Sequence, residues 1–265
     1  MRFITPNGTD NVSVWMDGAG NLSVYRGDHV TLLGSAGPTV LTQGIWYYVE
    51  FYALISDTVG KIQLKINGVD EVALTTGLDT RADAAAGGDV ISAVGFTTDT
   101  GQFIVDDLYI NDTTSTRNTG FSGDIRVSVY IPNAAGDSTG LTPTAGANYT
   151  NIDERPPNDA TDIVSATGTT LYDLYNIPNT SGIATVQAVY LWLRAQKSDA
   201  GAKNVAHVVK YDTDASGTAD TENVGSDVAL STSWAYYGKV YNDDPGNTAW
   251  SAAKIDALQI GAKAR

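Results

Sequence analysis

Oxygen donors recur at alternate positions in Asp212-Thr-Asp-Ala-Ser-Gly217, a spacing that opens a calcium loop. Asp212, Asp214 and Ser216 stand at the first, third and fifth places and Gly217 at the sixth. Calcium takes about six to eight oxygens, often completed by a bidentate glutamate at the twelfth place. Here the twelfth place is Asn223, and Glu222 falls one residue early. The donor count is short, and a plain hairpin tip is the stronger reading. Gly136-Asp-Ser-Thr-Gly140 matches Gly-x-Ser-x-Gly. A nucleophile elbow needs a strand before the serine and a helix after it. Asn133-Ala-Ala and Leu141-Thr-Pro-Thr offer neither, so Ser138 reads as a turn residue.

Other chemistry fares no better. The two histidines, His29 and His207, are far apart in sequence and fall in separate predicted domains, so a shared metal site is not expected. Glycoside hydrolysis needs two carboxylates about 5 to 9 Å apart. Asp106 and Asp107 are the nearest pair, but adjacent strand residues point to opposite faces. Arg26-Gly-Asp28 spells an integrin-type tripeptide, and short tripeptides recur by chance. Trp15, Trp46, Tyr47, Tyr48, Tyr52 and Tyr130 are candidates for sugar-stacking, although alternate aromatics in strands are usually core. No catalytic residue, cofactor or metal-ligand set is expected, and the chain does not read as an enzyme.

These residues must be carried by strands. Of 30 acidic residues only four are glutamate, namely Glu50, Glu71, Glu154 and Glu222. Aspartate favours turns and glutamate helices, so the imbalance predicts many short strands. The 42% apolar content suffices for packed cores. The net charge of −14 repels phosphates and argues against direct nucleic-acid binding. Cysteine is absent, which removes disulfides and thiolate metal sites. No apolar run reaches about 18 residues, so no membrane insertion is expected. Met1 to Gly8 lacks a signal-peptide core, so classical secretion is not expected.

The length of 265 residues suits roughly two domains. In the first, residues 1–115, Val12–Met16 and Leu22–Tyr25 alternate around the turn Asp17-Gly-Ala-Gly-Asn21. Trp46 to Leu54 reads as an aromatic strand. Lys61 to Ile66 alternates, with Ile62, Leu64 and Ile66 inward, and Asn67-Gly68 signals a type I′ turn. Val69–Leu74, Ile91–Phe96 and Phe103–Ile110 complete the set. In the second, residues 120–265, strands are expected at Asp124–Ile131, Leu171–Tyr175, Val186–Arg194 (a central strand by apolar density), Val205–Tyr211, Val224–Leu230, Ser233–Tyr241 and Ala257–Ala262. A Pro-rich loop occupies about 133–170, and Ser251–Asp256 suits one helical turn.

Ile104-Val-Asp-Asp-Leu-Tyr-Ile110, a polar linker, then Phe121-Ser-Gly-Asp-Ile-Arg-Val127 resembles the joint in bacteriophage virion structural proteins that begin with a concanavalin A-like (laminin G-like) jelly roll. Gly44-Ile-Trp-Tyr-Tyr-Val-Glu50 with the Asn67-Gly68 hairpin resembles the second half of such a jelly roll. Asp244-Pro-Gly-Asn-Thr-Ala-Trp-Ser251 and Ile255-Asp-Ala-Leu-Gln-Ile-Gly261 resemble the closing strands of the second domain. Fewer strands precede residue 112 than the usual dozen or so, which leaves open a minimal domain or a longer natural sequence.

The resemblance implies an all-β chain, a jelly roll followed by a C-terminal β-sandwich, serving as a non-enzymatic virion component on tail or capsid surface. Its implied partners are further copies of itself and other virion proteins, with the 133–170 loop as contact segment. Its implied location is the particle, assembled in the host cytoplasm and then extracellular. The alternative is a carbohydrate-binding module that recognises host surface glycans.

Overall fold

The computed structural model describes every residue except Ala36, Asp99, Thr100, Gly101 and Ala215. The chain is nearly all-β and divides into two units. Met1–Thr114 with Thr119–Val127 form the first, and Ser115–Asn118 with Ser128–Arg265 form the second. No described helix is long and apolar enough to cross a membrane.

The first unit contains β1 (Arg2–Ile4), β2 (Asp10–Met16), β3 (Leu22–Arg26), β4 (Thr31–Gly34), β5 (Val49–Leu54), β6 (Gly60–Ile66), β7 (Val69–Leu78) and β8 (Ala93–Gly95). One antiparallel sheet runs β4-β3-β2-β1-β8 and a second runs β5-β6-β7. Val12, Val14, Leu22 and Val24 from the first sheet meet Ile62, Leu64, Ile66 and Val72 from the second in one core. The alternation in β6 does this directly, because successive side chains leave opposite faces of a strand. Its odd-numbered neighbours Lys61, Gln63 and Lys65 stay half-exposed.

The turns follow their residue chemistry. Asp17 accepts the backbone N–H groups of Ala19 and Asn21, each at 2.9 Å, and closes the β2–β3 hairpin. Asn67 and Gly68 take φ values of 51° and 80°, the pair of positive angles that a type I′ turn requires.

The second unit contains β9 (Ala134–Thr139), β10 (Thr142–Pro143), a 3₁₀ turn at Asn148–Asn151, β11 (Val164–Ser165), β12 (Tyr172–Asn176), β13 (Val189–Ala195), β14 (Asn204–Tyr211), β15 (Thr221–Val224), β16 (Val228–Ala229), β17 (Ala235–Tyr241), α1 (Ala252–Asp256) and β18 (Gln259–Ala264). The main sheet runs β15-β14-β18-β12-β9, with β16 also paired to β14. β13 and β17 form a separate two-stranded ribbon. Leu191 and Tyr241 of the ribbon, Val209 and Tyr211 of β14, and Trp250, Ile255 and Leu258 near α1 share a core. The Ser251 hydroxyl caps α1 by accepting the Lys254 N–H.

Four expectations need correction. Phe103–Ile110 is not a strand: Asp107 takes φ 51°, a left-handed conformation that cannot continue an extended ladder. Asp124–Ile131 pairs with no strand among the described residues either. The segment expected to open the long loop instead forms β9, because Gly136 and Gly140 let its backbone lie close to β12. Val186–Arg194 is no central strand: among the described residues β13 pairs with β17 alone, and its other edge has no strand partner.

Candidate functional site

The open face of the β13–β17 ribbon is where the fold gathers exposed aromatic chemistry. In β13 the residues alternate between Leu191, which is buried, and Tyr190 and Trp192, which are 62% and 41% exposed. The cross-strand pairs are Tyr190 with Val240, Trp192 with Gly238, and Arg194 with Tyr236. Tyr236 is 52% exposed. Trp192 and Tyr236 are diagonal neighbours with ring centroids 4.9 Å apart, tilted by 43°. The Arg194 guanidinium lies 4.8 Å from the Tyr236 ring centre and 5.9 Å from that of Trp234.

Gly238 is what lets the Tyr190 ring lie down. A Cβ at that position would overlap the Tyr190 hydroxyl and ring atoms. Arg194 in turn is gripped by Asp159 through two N–H groups. That bond raises the guanidinium pKa and holds the Asp159 carboxyl below the usual carboxylate range. The result is a row of aromatic faces with one internally neutralised ion pair at its end.

At the other end of the ribbon a cavity of about 280 Å³ is lined by Asn118, Gln187, Asn242 and Trp250 among others. Its polar groups are largely spent on one another. Asn118 donates to the Gln187 carbonyl at 2.8 Å and to Asn242 Oδ1 at 3.3 Å, and Asn242 donates to Ser115 at 3.2 Å. Trp250 donates its ring N–H to the Tyr241 carbonyl and is buried.

The carboxylate loop is built as a turn. Ligand oxygens of Asp212, Asp214 and Asp220 lie within 4.8 Å of one another. Asp220 joins the cluster where the sequence spacing pointed to Ser216 and the twelfth position. Asp212 accepts the backbone N–H groups of Asp214, Ser216 and Gly217, and Asp220 accepts the N–H and hydroxyl of Thr213. Burial would raise the Asp212 carboxyl, but these N–H bonds, Gly217's first, outweigh it and hold the group low. Counted at one oxygen each, the three carboxylates supply part of the roughly six to eight oxygens that calcium takes.

The remaining sequence candidates are dispersed. Ser138 lies in β9 and donates to the Tyr172 carbonyl at 3.0 Å, with no base beside it among the described partners. His29 stacks on Trp15 and meets Tyr25 edge-on. His207 is buried in β14, with Nε2 2.9 Å from the Tyr237 carbonyl. The two histidines belong to different units. Asp107 accepts the Val127 N–H at 2.7 Å, a loop-fastening role. Of the proposed stacking aromatics, Trp46 is exposed, Tyr47 accepts the Thr42 N–H, and Tyr130 packs on the second core.

Sequence reasoning missed the Tyr190–Trp192–Tyr236 row. Its signal was present as Val189-Tyr-Leu-Trp-Leu193, where aromatics alternate with aliphatics. High apolar density suggested burial on both faces, and the cross-strand partner in β17 could not be read from spacing.

The joint residues are fastened together. Tyr109 donates its hydroxyl to Glu50, and Glu50 Oε1 also accepts the Gly123 N–H at 3.1 Å. Ser122 N–H donates to the Tyr109 hydroxyl at 3.2 Å, and Asn111 donates to the Gly120 carbonyl at 3.0 Å. Residues 119–127 are thus clipped onto the first unit. Compared with protein-family models, curated proteins and solved structures, the chain matches none of them.

Proposed function

We propose that the chain is a non-enzymatic structural component of a phage virion, a tail-associated or capsid-surface protein that assembles through subunit contacts. In this reading the first unit is a concanavalin-like jelly roll and the second a β-sandwich. The motifs around Asp106–Ile110 and Phe121–Val127 support the family. The observation that carries the assembly reading is apolar surface without a cover. Ile104 and Ile110 are 77% and 66% exposed, and Phe103, Val105, Leu108, Val127, Val129 and Ile131 are exposed as well. Exposed apolar side chains gathered on a segment mark interaction sites in soluble proteins. These segments have strand-like sequence and no strand partner among the described residues, so a neighbouring subunit can supply the cover.

Hydrogen exchange tests this at the backbone. Amides in 103–110 and 125–131 are expected to be protected in concentrated protein and to exchange rapidly on dilution. Rapid exchange at every concentration would remove these segments as contacts. Substituting Ile104→Asp and Ile110→Asp together is expected to shift the chain toward monomer without unfolding it, because neither side chain is part of a buried core.

A further inference from the structure

We infer that the open face of the β13–β17 ribbon is a binding platform for a neutral glycan, with Tyr190, Trp192 and Tyr236 as stacking rings and Arg194 as the polar end. Three observations carry this.

Three rings, Tyr190, Trp192 and Tyr236, stand exposed on one face of the ribbon. Gly238 removes the side chain opposite Trp192 and leaves room for the Tyr190 ring to lie across the ribbon. A sugar ring has one face of C–H groups and a rim of hydroxyls. Its C–H face packs on the electron-rich face of an aromatic ring. Two exposed residues two apart on one strand and a third on the neighbouring strand make a row rather than a single anchor.

Charge selects the class of glycan. Among the face residues of the two strands, Arg194 alone is charged, and Asp159 neutralises it. The whole chain carries −14. A polyanion gains nothing on such a face and is repelled by the rest of the surface. Arg194 gives two N–H groups to Asp159 and, of the five a guanidinium holds, has others to offer sugar hydroxyls.

Area argues against a second copy as occupant. Seven residues at about 3.3 Å each and two strands each about 4.8 Å wide make a face of roughly 220 Å². A stable protein–protein interface needs about 800 Å² per partner. A short stretch of polysaccharide fits the ribbon's length and width.

The test is affinity electrophoresis of the whole chain through native gels containing a soluble β-glucan, a galactan, a mannan or the polyanion alginate. At least one neutral polymer is expected to retard the protein, and alginate is not. Trp192→Ala and Tyr236→Ala are each expected to weaken the retardation at least tenfold, and Trp192→Phe to restore most of it, with circular dichroism and melting unchanged. If folding suffers in Trp192→Ala, the exposed Tyr236→Ala variant decides. Retardation by none of the neutral polymers, or retardation that both alanine variants retain, would overturn the assignment. An oligomer that the Trp192→Ala variant dissolves would also overturn it, giving the face to a second copy. The platform uses neither 103–110 nor 125–131, so loss of glycan binding in an oligomer held by those segments separates it from the assembly reading.

Discussion

Asp173 shows how much of this protein depends on single buried carboxylates. It is fully buried in β12 and accepts the Tyr175 hydroxyl and the Asn148 amide, each at 2.5 Å, and the Leu141 N–H at 2.7 Å. Asp173→Ala would take the acceptor from the buried Tyr175 hydroxyl and from the partly buried Leu141 N–H and Asn148 amide. A loss of about 3 kcal/mol in urea unfolding is expected, since each such group costs about 1–3 kcal/mol. Lys254 and Asp244 form a second buried pair, shared with Thr248. Burial alone would raise the Asp244 carboxyl, but the Lys254 and Thr248 bonds outweigh it and hold the group low. His207 gives the pH response. Burial, aided by the Lys239 charge, lowers its pKa from the ordinary value of 6.5, against the pull of the Tyr237 carbonyl. The unfolded chain therefore binds the proton more readily. The contribution is complete above about pH 6.5 and is lost as pH falls below it toward the folded-state value. Carboxylates held low lose theirs only below about pH 4. The melting temperature is expected to fall between pH 7 and pH 5, and His207→Gln to flatten that fall.

Elements that carry strict alternation were legible in the sequence, and elements whose partners lie far along the chain were not. β2, β3 and β6 and the Asn67-Gly68 turn follow from period-two patterning and local turn chemistry. β14 was legible from its β-branched content, β17 from its aromatic alternation and α1 from its Ser251 cap. Phe103–Ile110 has strand-like composition, but the left-handed Asp107 and the Glu50–Tyr109 clip impose another path. Glu50→Ala is expected to free residues 119–123 and to cost about 2 kcal/mol, because the partly buried Tyr109 hydroxyl and Gly123 N–H lose a shared acceptor. Faster amide exchange confined to that stretch checks it. β9 was hidden by its glycine and serine content, yet close packing is the reason for that composition. Gly261 serves the same end in β18, where a Cβ would overlap the Asp173 carbonyl across the β12 pairing. Gly261→Ala is expected to lower stability by about 1–3 kcal/mol, the usual cost of overpacking. The aromatic row stayed illegible because its three rings come from strands more than 40 residues apart in sequence.

For the whole molecule the decisive quantity is surface. The chain exposes 14499 Å². Ile104, Ile110, Val127 and Val129 are among its exposed large apolar residues, on segments with strand-like sequence and no strand partner among the described residues. Sedimentation velocity of the purified chain across micromolar concentrations, with and without calcium, tests the assembly reading most directly. A stable trimer or higher cyclic oligomer, insensitive to calcium, is the predicted result, and a monomer at every concentration would contradict it.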